Sequence, residues 1–136
     1  MEKNIKEKYK IAVIEDEEVI SKSLVGELED AGFEVITAFD GEYGLQLVLK
    51  EKPDLILLDI VMPKMDGVTM MKDLRESGEY GKRVPIILLT NLNADDKIMG
   101  DITQNQPSYY LVKSSYTMAD VVERVRHSLK EALSRQ

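Results

Sequence analysis

Four apolar runs, each closed by a polar or ionisable residue, constrain this chain more than any other feature. Ile11-Ala12-Val13-Ile14 runs into Glu15-Asp16, and Leu55-Ile56-Leu57-Leu58 runs into Asp59. Ile86-Ile87-Leu88-Leu89 ends in Thr90, and Tyr109-Tyr110-Leu111-Val112 ends in Lys113. Short continuous apolar runs bounded by turn signals read as strands buried on both faces, the mark of a parallel sheet covered by helices. Strands are expected near 10–14, 33–38, 54–59, 84–90 and 108–112. Helical patterns alternate with them, near 18–31, 41–50, 68–76, 95–104 and 118–134.

Local signals agree with that order. Ile20, Leu24 and Leu28 recur every four residues and Gly32 follows as a stop. Val122, Val125, Leu129 and Leu133 share one face of the last helix, with Thr117 as its N-cap and Asp120 three residues on. The weak segment is 93–107, where Ile98, Met99 and Ile102 supply a thin apolar face around Gly100. Strict βα alternation makes the fold class α/β: a doubly wound five-stranded parallel sheet flanked by five helices, with right-handed crossovers. In such sheets ligands bind at the carboxyl edge of the strands. Three acids, a hydroxyl and an ammonium would gather there, a cation site beside an anion site.

Composition removes several function classes. The 136 residues favour one domain with a single core. Residues 1–9 are charged and aperiodic and read as a loose N-terminal extension, leaving 10–136 as the domain. A net charge of −7 argues against nucleic-acid or anionic-membrane binding through the general field. The lack of cysteine removes zinc-finger spacing and fits a reducing compartment. No apolar stretch approaches a bilayer span, and Met1-Glu2-Lys3-Asn4-Ile5-Lys6 lacks a signal-peptide core. A cytoplasmic protein is expected.

With Glu15-Asp16, Asp59 in Leu58-Asp59-Ile60-Val61-Met62-Pro63-Lys64-Met65-Asp66-Gly67, Thr90, Tyr110 and Lys113 in this order, the chain resembles a receiver domain of two-component response regulators. The likeness runs from about Lys10 to Leu133 and implies a flavodoxin-like (βα)5 fold of the single-domain chemotaxis-regulator type. It implies that Asp59 is the phosphoacceptor, a carboxylate nucleophile forming an aspartyl-phosphate. Asp16 and Asp59 would bind Mg2+ directly, the Val61 backbone carbonyl would contribute, and Glu15 would act through water. Lys113 and Thr90 would bind the phosphoryl oxygens, and Thr90 with Tyr110 would form the conformational switch. The implied donor is a sensor histidine kinase or phosphotransfer protein and the implied receiver of the signal a downstream effector protein. A phosphorylation-dependent dimer belongs to the same expectation. The domain would catalyse only its own phosphoryl transfer and dephosphorylation. No effector segment follows the last helix, so output through a partner is expected.

Simpler roles compete for some of these residues. Glu17 and Glu18 are explained by the helix dipole alone, and acids in a first turn gain roughly 0.3–1 kcal/mol each. Met65, Met70 and Met71 read as core, Gly67 as a backbone position after the Asp66 turn, and His127 as an exposed helix residue. Three features depart from the resemblance or qualify it. Ser114 follows Lys113 where proline is usual, and a cis bond there would cost about 2.5–4 kcal/mol against about 0.5–1 before proline. Gly100 and Asn105-Gln106-Pro107 replace an alanine-rich helix and a Gly-Ala step. Val61 and Leu92 occupy positions that tune self-dephosphorylation, and neither side chain can hold an attacking water, so a long-lived phosphoryl group is expected. Two rivals remain: an interaction module that signals without phosphate, and a Mg2+-dependent phosphatase. Valine at position 61 opposes the second, since such enzymes usually need a second acid near the nucleophile as general acid, as in Asp-x-Asp.

Overall fold

The computed structural model describes residues 8–60, 62, 64–90, 109–112 and 116–134, with the side chains of 90 and 109–112 outside that description. Five strands form one parallel sheet: β1 (Lys10–Ile14), β2 (Glu34–Ala38), β3 (Leu55–Asp59), β4 (Ile86–Thr90) and β5 (Tyr109–Val112). Their spatial order is β2-β1-β3-β4-β5. The chain therefore steps from β1 to one side and then crosses back to build the other. This reversal places the ends of β1 and β3 side by side, the position where an open α/β sheet leaves a crevice. Register sets Ile14 beside Leu58 and Asp59 beside Leu89.

Helices α1 (Glu18–Asp30), α2 (Gly41–Glu51), α3 (Gly67–Arg75), α4 (Glu79–Arg83) and α5 (Met118–Ser134) complete the described elements. Because side chains alternate across a strand, the sheet feeds two cores. Ala12, Ile14, Ile56, Leu58, Ile86 and Leu88 pack with Val48 of α2 and Met70, Met71 and Leu74 of α3. Ile11, Val13, Leu55, Leu57, Ile87 and Leu89 pack with Leu24 and Leu28 of α1 and Val121, Val125 and Leu129 of α5. The doubly wound architecture is as the sequence implied, and Met70 and Met71 are core. Among the described residues no helix is long and apolar enough to cross a membrane.

The helix ends follow their local chemistry. Gly32 takes a left-handed φ of 97° past α1. Its N–H donates to Glu29 O at 3.0 Å, and Phe33 N–H donates to Leu28 O at 3.0 Å, closing the last turn. Thr117 and Asp120 cap α5 reciprocally, at 2.8 Å and 3.2 Å. The buried face of α5 centres on Val121, Val125 and Leu129 rather than on Val122, which is half-buried beside them. Four-residue spacing back from Val125 leads to Val121, one position from the valine the sequence singled out.

The edge where strands begin is stapled by polar contacts. Lys10 Nζ lies 3.1 Å from Glu51 Oε1, and its backbone N–H donates to Asp54 Oδ2 at 2.8 Å. Tyr80 Oη donates to Pro53 O at 2.7 Å. The short α4 was not anticipated from sequence. The helix expected near 95–104, residues 1–7 of the expected extension and the Lys113-Ser114 bond lie outside the described residues.

Candidate functional site

The acids expected at the strand tips do converge. One carboxylate oxygen from each of Glu15, Asp16 and Asp59 lies within 4.8 Å of the others. Two come from the residues after β1 and one from the last residue of β3, adjacent strands at the sheet's reversal point. Glu15 is 0% exposed and Asp59 3% exposed, whereas Asp16 is exposed, so the trio is open to solvent on the Asp16 side. Glu15 Oε2 accepts the Glu17 N–H at 3.1 Å, which ties its carboxylate to the start of α1. Glu15 N–H donates to Ala38 O at 3.1 Å, extending the β1–β2 pairing past the strand.

Three carboxylates this close repel one another in proportion to the inverse of distance and of the local dielectric constant. An all-oxygen donor set with one exposed member is the chemistry of a hard divalent cation. Mg2+ characteristically takes one or two carboxylates and keeps waters for the rest of its shell. The described residues therefore fit such an ion in donor type and spacing.

The described residues between Asp59 and α3 make close local contacts. Ile60 N–H donates to Leu89 O at 3.3 Å, and Gly67 N–H donates to Ile60 O at 2.7 Å. Asp66 caps α3, accepting the Thr69 N–H at 2.8 Å. Lys64 adopts a left-handed φ of 68°, and its Nζ lies 3.8 Å from Oδ2 of Asp40, the N-cap of α2. Gly67 is more than the turn position expected of it. A Cβ there would overlap the Asp59 carbonyl oxygen and stand 2.9 Å from Ile60 Cα. The only sequence signal was an Asp-Gly step at a helix start, which any turn would share.

Other expected residues are placed by backbone alone. Thr90 ends β4 opposite Val112, and Tyr110 lies in β5 opposite Leu88. Thr90 therefore reaches the carboxyl edge on β4, next to β3, and the residue before Lys113 reaches it on β5, one strand further out. Val61 and Lys113 fall outside the described residues. His127 is 56% exposed and lies 3.3 Å from Glu131, so it is the surface helix residue expected.

Comparison with known proteins agrees with this geometry. Over 92 residues the chain is 45% identical to the alkaline phosphatase synthesis transcriptional regulatory protein PhoP of Bacillus subtilis (strain 168), a match covering 67% of this chain and 37% of that protein. It is 38% identical over 127 residues to the probable transcriptional regulator ycf27 of Porphyra purpurea, covering 93% and 49% respectively. The chain thus spans half or less of the length of these curated relatives. Among solved structures, the receiver domain of the sensor histidine kinase PA1611 from Pseudomonas aeruginosa PAO1 has a magnesium ion coordinated in its active site cleft. It superposes with a TM-score of 0.80 at 27% identity, covering 90% of this chain and 98% of that one. Residues 11–126 match the family model for the response regulator receiver domain, and with the acids at the tips of β1 and β3 in their expected places, the chain belongs to that family.

Proposed function

We propose that the chain is a phosphorylation switch in which Asp59 accepts a phosphoryl group from the phosphohistidine of a sensor kinase or phosphotransfer protein. The observation that carries this reading is the convergence of Glu15, Asp16 and Asp59 on one point of the carboxyl edge. In the transfer, an Asp59 carboxylate oxygen forms the new P–O bond while the P–N bond to the donor imidazole breaks. The electron pair leaves with the imidazole nitrogen.

Asp16 and Asp59 would hold Mg2+ through their carboxylates, Val61 through its backbone carbonyl, and Glu15 through a water molecule. When bound, the cation supplies the positive charge that lets an anionic nucleophile meet an anionic phosphate. Lys113 and Thr90 bind phosphoryl oxygens once the group is on Asp59. The Thr90 hydroxyl turns toward it, and Tyr110 fills the space left behind. Phosphate bonds made in one conformation and not in the other shift the population between two surfaces. An effector protein reads the shifted surface, and a second phosphorylated copy is a further partner of the same kind. We place this activity in the cytoplasm. The net charge of −7 favours protein partners over nucleic acid or membrane.

The test is intact-mass analysis after incubation with acetyl phosphate, with and without Mg2+, beside Asp59→Asn. A Mg2+-dependent gain of one phosphoryl group that vanishes in the variant supports the reading. No adduct under any condition would sink it and favour the phosphate-independent module.

A further inference from the structure

We infer that Gly67 and Gly41 are positioning residues for phosphoryl acceptance: α3 and α2 close onto the backbone of the Asp59-to-Asp66 loop at these two points, and glycine at both sets where Asp59 stands. This rests on the reading of Asp59 as phosphoacceptor and adds residues that touch neither the phosphoryl group nor the cation.

The loop is gripped from two sides. At its base, a Cβ on Gly67 would overlap the Asp59 carbonyl oxygen and lie 2.9 Å from both the Asp59 carbonyl carbon and Ile60 Cα. Every one of those atoms is backbone, so no flexible side chain can swing aside. The same residue donates its N–H to Ile60 O at 2.7 Å, which rules out relief by simple withdrawal of the helix without losing that bond. Near the loop's far end, a Cβ on Gly41 would overlap the Met65 carbonyl oxygen, 2.9 Å from its carbon and 3.0 Å from Met65 Cβ. Beside that contact, Asp40 receives Lys64 Nζ at 3.8 Å. Helix α2 also reaches the other acids' strand. A Cβ on Gly44 would meet Ile14 Cγ2 at 2.8 Å, and Ile14 directly precedes Glu15.

Adding a methyl group at Gly67 therefore forces either the Asp59 backbone to move or α3 to withdraw and give up its bond to Ile60 O. A displacement on the order of 1 Å at a reacting group costs up to about a hundredfold in rate. Gly81 supplies a matched comparison. A Cβ there would overlap Leu74 O, an equally severe backbone clash, but at the edge where strands begin.

The experiment compares wild type, Gly67→Ala, Gly41→Ala and Gly81→Ala. It reads the limiting rate of Mg2+-dependent labelling by acetyl phosphate, the half-saturating donor concentration, and the urea midpoint. In that reaction the Asp59 O–P bond forms as the bond from phosphorus to the acetate oxygen breaks, acetate leaving with the pair. The limiting rate is expected to fall about 10–100-fold in Gly67→Ala and about tenfold in Gly41→Ala, with little change in half-saturation. Gly81→Ala should lower the urea midpoint while keeping the wild-type rate. A wild-type rate in folded Gly67→Ala, or equal slowing in Gly81→Ala, overturns the inference. Should Gly67→Ala not fold, the Gly41→Ala rate decides alone. Failure of wild type to label at all is the separate signature of a wrong phosphoacceptor, and it removes the inference with it.

Discussion

Arg75 Nη1 donates to the Val84 carbonyl oxygen at 2.7 Å, and to the Gly81 carbonyl at 2.9 Å, so one guanidinium ties the end of α3 to the chain entering β4. Burial lowers its pKa from the ordinary arginine value. Replacement by Met keeps much of the apolar stem and strips both carbonyls of their donor. Each buried acceptor left without a partner costs about 1–3 kcal/mol. Arg75→Met is expected to lower unfolding free energy by at least that much in urea melts, with labelling of Asp59 unchanged. Slower labelling at full occupancy of the folded state would contradict the separation of this contact from the site.

Tyr80 ties stability to pH on the alkaline side. Burial is the main cause raising its phenol pKa above the ordinary 10.0, with the nearby Asp54 charge adding to it and Arg75 opposing. The folded state therefore keeps the proton that the unfolded chain releases. Its contribution is complete below about pH 10 and declines as pH rises toward the folded value. Stability measured from pH 9 to 11 should fall more steeply in wild type than in Tyr80→Phe. The variant should start lower by about 1 kcal/mol through loss of the bond to Pro53 O. Parallel curves would show that the phenol is not what titrates.

Lys52, past the end of α2, adopts a left-handed φ of 47° while its N–H closes onto Val48 O at 2.8 Å. A residue with a Cβ pays roughly 1–2 kcal/mol for that conformation, and glycine does not. Lys52→Gly should raise stability by about 0.5–1 kcal/mol once the greater freedom of the unfolded glycine is subtracted. A thermal or urea melt checks this directly, and a destabilised variant would refute it.

We predict that Val61 and Leu92 bear on the lifetime of the phosphoryl group. Neither side chain offers a hydrogen bond to water, and the family resemblance places both where self-dephosphorylation is tuned. The double substitution Val61→Asn with Leu92→Glu is expected to shorten the half-life of the phosphoryl group on Asp59. Mass spectra taken at intervals after removal of the donor would measure it, and an unchanged decay would sink the idea.

How far the sequence could be read depends on where the information lies. β3 was legible because Leu55 to Leu58 are all apolar and Pro63 follows; the observed strand starts one residue later than expected. The convergence of Glu15, Asp16 and Asp59 was legible too, since strand ends and right-handed crossovers determine which tips meet. Helix α4 was not. Glu79-Tyr80-Gly81-Lys82-Arg83 is too short to show a period, and what holds it is tertiary, the Arg75 and Tyr80 hydrogen bonds. The tight seat of Gly67 was hidden for a different reason. A glycine required by sterics and a glycine required by a turn look alike in one sequence, and only the position of Asp59's own carbonyl tells them apart.

The polar staples Lys10–Glu51, Tyr80–Pro53 and Arg75–Val84 all stand at the sheet edge where strands begin, and the acids stand where strands end. Substitutions at well-separated sites combine almost additively. Drift at one pole can therefore retune thermal tolerance while the other pole keeps its chemistry. A lineage moving to a hotter or colder habitat could adapt this molecule without relearning how it signals.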